Sequence, residues 1–139
     1  MTAGEVGLAD QFAIHMTLAR YCHRCDDADF EGLVALFTAD AVFTYGNRSA
    51  HGSAELLAFF RDTQSRPEQR GKHLTVNEVY EPDGDRGDRV LAASDFVFLR
   101  FASGRLVPAI AGRYHDQFVR VDGEWRIARR EVLTLEAFG

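Results

Sequence analysis

The stretch that decides the fold is residues 106–135, LVPAIAGRYHDQFVRVDGEWRIARREVLTL, in which two long runs flank Asp122-Gly123. Both runs are rich in β-branched and aromatic residues, which favour strands. Aspartate followed by glycine between two such runs is a strong signal for a β-hairpin with a two-residue loop. The sequence therefore predicts two long antiparallel strands, at residues 106–121 and 124–135.

The two-residue loop also predicts which side chains of this hairpin face the core. With Val121 opposite Glu124, Asp116 lies opposite Arg129, and the two form a cross-strand ion pair on the inward face. Such a pair can serve as a structural link in the sheet, or Arg129 can bind substrate. The residues expected on the inward face are Tyr114, Asp116, Phe118, Trp125, Ile127 and Arg129.

The region before the hairpin predicts helices first and strands afterwards. Apolar residues recur with the helical period in the N-terminal region, and Asp29 is placed to cap a second, short helix. Helices followed by an antiparallel meander are typical of an α+β fold in one domain, here residues 1–139. The predicted helices span residues 8–26, 30–37 and 54–65, and the further strands span 41–45, 73–81 and 89–101.

The composition narrows the range of functions. The 139 residues are 46% apolar and 27% charged, with a net charge of −5 and scattered basic residues, which argues against nucleic-acid binding. No apolar run approaches the roughly 20 residues of a membrane span, and no leader peptide is visible, so we expect a cytoplasmic protein that does not bind membranes. No histidines and carboxylates fall at metal-ligand spacing, and no glycine-rich phosphate loop follows a strand. We expect no metal and no cofactor, and interpret Cys22 and Cys25 as core residues.

Asp26 and His73 are the strongest candidates for chemistry. Asp26 lies at the edge of the apolar face of the first helix, and His73 begins a strand. If they face each other across one pocket, the carboxylate orients the imidazole as a general base. The alternatives are a carboxylate at a helix end and a histidine whose ring is satisfied by a backbone carbonyl.

Several short motifs together resemble the SnoaL-like branch of the nuclear-transport-factor-2-like superfamily. The resemblance covers nearly the whole chain, and it implies a strongly curved mixed sheet wrapped around the N-terminal helices, with a pocket inside the cone. The motifs are Tyr21-x₄-Asp26-x₂-Asp29-Phe30, Leu36-Phe37-x₂-Asp40-Ala41-Val42-Phe43, Gly52, His73-Leu74-x₂-Asn77, Gly112-Arg113-Tyr114-x-Asp116 and Gly123-x-Trp125-Arg126-Ile127.

Within that superfamily the chain resembles, in its candidate mechanism, scytalone dehydratase and the dehydrochlorinase-type lyases, which use an Asp–His pair without metal or cofactor. The resemblance places Asp26 and His73 at that pair and Tyr45 at the tyrosine that polarises a carbonyl through water. The chain departs from the dehydratase at Cys25, which replaces a tyrosine, and at Gly112 and Tyr114, which replace small polar residues. A different substrate is therefore implied.

These observations predict a cofactor-free lyase or isomerase acting on a small apolar cyclic or polyketide-like substrate, with Asp26, His73 and Tyr45 catalytic. The outward residues Val119, Ala128 and Val132 predict a homodimer or homotrimer. Three alternatives remain: a non-catalytic ligand-binding or assembly module, a subunit resembling the small subunit of ring-hydroxylating dioxygenases, and an epoxide-hydrolase-like trio of Asp95, Asp116 and Arg129. The predicted substrate-binding residues are Tyr21, Asn77, Phe96, Tyr114 and Arg129.

Overall fold

Three helices and one sheet make up the computed structural model, which describes residues 4–135. A short 3₁₀ helix, Pro67–Gln69, follows the third helix. The helices are α1 Leu8–Asp26, α2 Phe30–Val34 and α3 Gly52–Gln64. The strands are β1 Phe37–Tyr45, β2 Arg48–His51, β3 Gly71–Pro82, β4 Arg89–Ala102, β5 Arg105–Val121 and β6 Glu124–Thr134.

The six strands form one curved, mixed sheet in the order β2-β1-β6-β5-β4-β3. Every neighbouring pair is antiparallel except β1 and β6, which run parallel. The sheet does not close, because β2 and β3 remain as its two edges. The predicted α+β architecture with a mainly antiparallel sheet is confirmed.

Two local predictions differ from the structure around the second helix. The helix ends at Val34 rather than Phe37, and Phe37 already begins β1. The short strand β2 was not predicted, because the sequence between Gly46 and Gly52 carries turn residues and little apolar content. This strand pairs with β1 and leads directly into α3.

The core lies where α1 and α3 pack into the concave face of the sheet. Ile14, Leu56, Phe60 and Phe118 are almost completely buried there, each worth about 1.5–3 kcal/mol relative to exposure. Cys22 and Cys25 lie in the same layer as free, buried thiols, which agrees with their predicted packing role. Within residues 4–135, no helix is both long and apolar enough to span a membrane.

A β-bulge in the last hairpin corrects the predicted register. Phe118 pairs with Ile127 as expected, but the next pair is Gln117 with Arg129, so that β6 contains one extra residue, Ala128. Beyond the bulge every partner is displaced by one, because two residues of β6 oppose one of β5.

The bulge changes which residues of β6 point inward. Asp116 pairs with Arg130, which is fully buried, whereas Arg129 is exposed on the outer face. The prediction that Arg129 faces the core and binds substrate is therefore wrong. Val132 is buried as well, so it does not belong to the outward stripe that the regular register predicted.

Candidate active site

The concave face of the sheet and the helices enclose a cavity of about 270 Å³. Most of its wall is aromatic or aliphatic, and the polar groups are few, as in typical small-molecule sites. The residues that line it are Tyr21, Phe43, Tyr45, Arg48, Phe59, Phe60, Thr63, Gln64, Gln69, His73, Phe96, Phe98, Arg100, Ile110, Tyr114 and Val132.

Asp26 and His73 meet at one wall of this cavity. His73 Nδ1 lies 2.7 Å from Asp26 Oδ1, and the backbone N–H of His73 donates to both carboxylate oxygens at 3.1 Å. The Asp26 side chain is 6% exposed and that of His73 13% exposed, so bulk water has little access to the pair. The predicted contact between the two side chains is present.

The local fold explains how the two residues come together. Asp26 is the last residue of α1, and β3 is an edge strand whose free side faces that helix end. The edge leaves the N–H of His73 without a strand partner, and the carboxylate satisfies it. This donor, together with the ring contact, offsets the unfavourable position of a carboxylate at a helix C-terminus.

The imidazole is held between aromatic rings. The ring centroid of Phe98 lies 4.7 Å away, and Tyr21 approaches edge-on with its centroid at 6.4 Å. Because Nδ1 is occupied by Asp26, the other nitrogen, Nε2, is left for the cavity. Within residues 4–135, no side chain or backbone group forms a hydrogen bond with Nε2. The geometry suits a base that accepts a proton from a bound molecule.

A buried ion pair lies beneath the cavity floor. Arg130 Nε and Nη2 donate to the two oxygens of Asp116 at 2.7 and 2.8 Å, and both side chains are fully buried. Burial opposes the charged form of Arg130 and by itself lowers the pKa of the guanidinium. The charge and hydrogen bonds of Asp116 outweigh this effect, so the pKa of Arg130 is raised. The sequence predicted a pair at this place but assigned the wrong arginine, because a bulge leaves no signal in the apolar pattern.

The guanidinium of Arg130 stacks on two tyrosines of the cavity wall. Its Cζ lies 3.7 Å from the ring centroid of Tyr114 and 4.3 Å from that of Tyr21. Burial raises the pKa of both phenols well above the ordinary value, although the nearby arginine lowers each in part. Both hydroxyls therefore stay protonated and can donate hydrogen bonds. Sequence reasoning missed Arg130.

Four other predicted residues also line the cavity. Tyr45 is partly buried at the end of β1, and burial raises the pKa of its phenol. Phe96 stacks against Tyr114 with the ring centroids 4.4 Å apart, which forms a flat apolar wall. Tyr21 completes this wall from α1 and contacts the rings of both Tyr114 and His73.

Asn77 does not lie in the cavity, which corrects its predicted substrate-binding role. The residue has a positive φ of 55° at a register shift of β3, and its exposed side chain donates to Asp95 Oδ2 at 3.0 Å. Asp95 in turn pairs with Arg113 at 2.7 Å, and these contacts lower the pKa of its carboxyl, the Arg113 hydrogen bond most strongly. Because Asp95 and Arg129 lie outside the cavity, the epoxide-hydrolase-like trio is not assembled.

The buried thiols next to the dyad are poor nucleophiles. Burial raises the pKa of Cys25 far above its ordinary value, and that of Cys22 also rises, chiefly by burial. Cys22 Sγ lies 3.2 Å from Thr75 Oγ1, which ties α1 to β3 beside Asp26. Cys22 thus helps to position the helix end that carries the carboxylate.

The α+β fold, in which the helices pack into a curved mixed sheet, is that of nuclear-transport-factor-2-like proteins. The sequence matches the SnoaL-like domain model over residues 7–131, and the chain belongs to that family. No curated protein sequence matches the chain significantly.

Solved structures show the same fold. A variant of Rv3472, a protein of unknown function from Mycobacterium tuberculosis, is 29% identical, with a TM-score of 0.85 over 95% of this chain and 80% of its own. A nuclear-transport-factor-2-like protein with a cystatin-like fold from Novosphingobium aromaticivorans is 26% identical, with a TM-score of 0.82 over 94% and 84%. A scytalone-dehydratase-like protein from the same organism is 24% identical, with a TM-score of 0.80 over 92% and 85%.

Proposed function

We propose that this protein is a cofactor-independent lyase or isomerase that removes a proton from carbon in a small apolar cyclic or polyketide-like molecule. The observation that carries the proposal is the 2.7 Å contact between Asp26 Oδ1 and His73 Nδ1, with the imidazole at the wall of an apolar cavity. The SnoaL-like family and the structural likeness to a scytalone-dehydratase-like protein agree with this class of reaction.

The proposed mechanism begins with the tautomer of His73. Asp26 accepts a hydrogen bond from the Nδ1–H, which leaves Nε2 unprotonated and directed at the bound molecule. Nε2 takes a proton from a carbon next to a carbonyl, and the electron pair of the C–H bond moves onto the carbonyl oxygen. The carboxylate of Asp26 then stabilises the imidazolium that forms.

Tyrosine hydroxyls are proposed to stabilise the oxyanion. Tyr45 lines the cavity and keeps its proton, because burial raises its pKa, so it can donate directly or through a water. The enolate can then expel a leaving group, be reprotonated at another carbon, or attack a second carbonyl. Dehydration, isomerisation and cyclisation thus share the same first step, and the aromatic walls favour an apolar ring as the substrate body.

The first step can be tested without the natural substrate. We would incubate a panel of cyclic ketones, including 1-tetralone and 2-tetralone, with the protein in deuterated buffer and follow loss of the α-proton signals by NMR. His73→Ala is expected to lower the enzyme-dependent exchange by roughly 10²–10⁴-fold. His23→Ala removes an exposed histidine of α1 and serves as the control.

Exchange at the parental rate in His73→Ala would contradict the proposal. If that variant still bound the ketones, a non-catalytic ligand-binding module would be the better description of the protein. The control must retain parental exchange, because His23 does not line the cavity.

A further inference from the structure

The charges on the cavity wall have one sign. Two of the lining side chains, Arg48 and Arg100, are guanidinium groups, and none of the carboxylates within residues 4–135 lines the wall, although the chain as a whole has a net charge of −5. Asp26 lies behind His73 and does not line the cavity. An apolar cavity with a cationic rim matches a ligand that has an apolar body and an anionic group.

Arg100 is an exposed residue of the wall that carries His73. His73 pairs with Phe98 across β3 and β4, and Arg100 follows two residues later on the same inward-facing side of β4. The guanidinium Cζ is 5.8 Å from the Phe98 ring centroid, so the ring supports the side chain beside the cavity. Among residues 4–135, no carboxylate oxygen lies within 4.0 Å of an Arg100 nitrogen.

Arg48 stands on the wall formed by β2 and α3. It is paired with Tyr45 across the β1–β2 ladder, and its Cζ lies 4.6 Å from the ring centroid of Phe59. Its ion pair with Asp62, at 3.1 Å, is solvent-exposed on both sides and so contributes little. The guanidinium has five donor N–H groups, and most of them remain free to bind a ligand.

We infer that the substrate of the proposed reaction carries a carboxylate on its apolar ring and that Arg100, assisted by Arg48, binds this carboxylate at the cavity rim. The inference rests on the proposed function, because it takes His73 as the point of proton removal. Phe98 lies beside His73, and Arg100 follows it by two residues on the same strand. Two residues of a β-strand span about 7 Å, so Arg100 lies about this far along the strand from the position beside His73. One six-membered ring with its substituent bridges such a distance.

The chemistry of arginine supports this assignment. A guanidinium donates two parallel hydrogen bonds to a carboxylate, which fixes the orientation of the ligand as well as its position. With the acid group held at the rim, the far side of the ring is directed toward His73. The same positive rim would draw an anionic substrate to a protein whose overall charge repels it.

Ligand binding tests the inference separately from catalysis. Isothermal titration calorimetry would compare 2-naphthoate with its neutral amide, 2-naphthamide, on the parental protein. We expect the carboxylate to bind at least tenfold more tightly than the amide. Arg100→Gln should reduce 2-naphthoate affinity at least tenfold and change 2-naphthamide affinity less than twofold, with Arg48→Gln giving a smaller loss of the same kind.

Arg129→Gln is the matched control, because it removes one positive charge from the outer face of the same sheet. Equal affinity for the two probes, binding of neither probe, or equal losses in Arg100→Gln and Arg129→Gln would overturn the inference. Any of these results with intact His73-dependent ketone exchange would leave the proposed function standing. Arg100-dependent naphthoate binding without ketone exchange would instead overturn the proposed reaction and retain the carboxylate site.

Discussion

At the scale of single residues, Asp26 and His73 form a unit in which each depends on the other. The imidazole and the backbone N–H of His73 both contact the same carboxylate. The carboxylate has three roles here: it satisfies an edge-strand donor, selects the tautomer of the ring and supplies a negative charge. In the proposed mechanism only the last two concern catalysis, and substitutions can separate them from the first.

We predict that the effects of Asp26→Asn and His73→Ala on turnover are far from additive. Asn retains an acceptor for the His73 N–H but removes the charge that stabilises the imidazolium, so turnover should fall at least tenfold. The double variant should be little slower than His73→Ala alone. Rates of α-proton exchange for the four proteins give the coupling energy, and strictly additive losses would argue against a dyad.

Asp116 provides a second prediction at this scale. Asp116→Asn leaves the fully buried guanidinium of Arg130 without its counter-ion, which should destabilise the protein by about 3–5 kcal/mol. Urea denaturation would measure the change in the free energy of unfolding. Asp95→Asn is the control: it removes the carboxylate of the exposed pair with Arg113 and should cost much less. If both variants lost the same free energy of unfolding, burial would not be the reason that the Asp116–Arg130 pair matters for stability.

At the scale of elements, the bulge in β6 determines which side chains of this strand point toward the cavity floor. Without an extra residue, the alternation of the strand would turn Arg130 and Val132 outward and Arg129 inward. With it, Arg130 reaches Asp116 and stacks beneath Tyr21. The bulge therefore connects the sheet register to the electrostatics of the candidate active site.

Deletions in β6 should reveal this role of the bulge. Removing Ala128 leaves Gln117 opposite Arg129 and Asp116 opposite Arg130, so the pairing survives with a regular strand. Removing Glu131, beyond the bulge, turns Val132 toward solvent instead. Thermal denaturation should therefore show a higher midpoint for the Ala128 deletion than for the Glu131 deletion. The opposite order would show that the bulge itself, rather than the register it produces, is required.

At the scale of the whole molecule, the outer face of the sheet carries exposed apolar residues. Leu74, Val76 and Leu133 are 45–47% exposed, on three positions of β3 and β6. Exposed apolar groups of this kind are common at contacts between subunits. Because Val132 is buried, we now expect these exposed residues, rather than Val132, to form the subunit contact of a homodimer or homotrimer.

Light scattering at micromolar concentration should therefore return a multiple of the 15.6 kDa chain mass. Leu74→Glu places a charge on the outer face and should shift the assembly toward monomer without affecting the cavity. Glu68→Lys, an exposed charge change in the 3₁₀ helix, is the control and should leave the mass unchanged. A parental protein that is monomeric under these conditions would reject the prediction.

Alkaline pH offers a further test at the whole-molecule scale. Burial raises the pKa of Tyr21 and Tyr114, whereas the unfolded chain ionises tyrosine near pH 10. The folded state therefore keeps protons that the unfolded state loses, so stability is retained below about pH 10 and falls above it. Phenolate absorbance should develop together with loss of the far-ultraviolet circular dichroism signal. Full ionisation of every tyrosine in the folded protein would contradict this expectation.

The sequence by itself determined the order of the three helices and of every strand except β2, together with the hairpin at Asp122-Gly123, and it predicted the contact of Asp26 with His73. These features depend on local periodicity, turn chemistry and a motif order that resembles a known family. The helices, the strands and the turn are encoded within short windows of the chain, whereas the contact of Asp26 with His73 joins residues 47 apart in the sequence and was predicted from the family resemblance. Residues 1–3 and 136–139 of the predicted single domain lie outside the described residues.

Only the tertiary structure decided which arginine is buried, where Asn77 points and which groups form the cationic rim. A bulge adds one residue to a strand without changing the apolar pattern, so the choice between Arg129 and Arg130 depends on the β5–β6 pairing as a whole. Arg48 lies on the edge strand β2, whereas Arg100 lies on β4, next to the opposite edge strand β3. Their meeting at one cavity results from the curvature of the sheet, which no local signal in the sequence records.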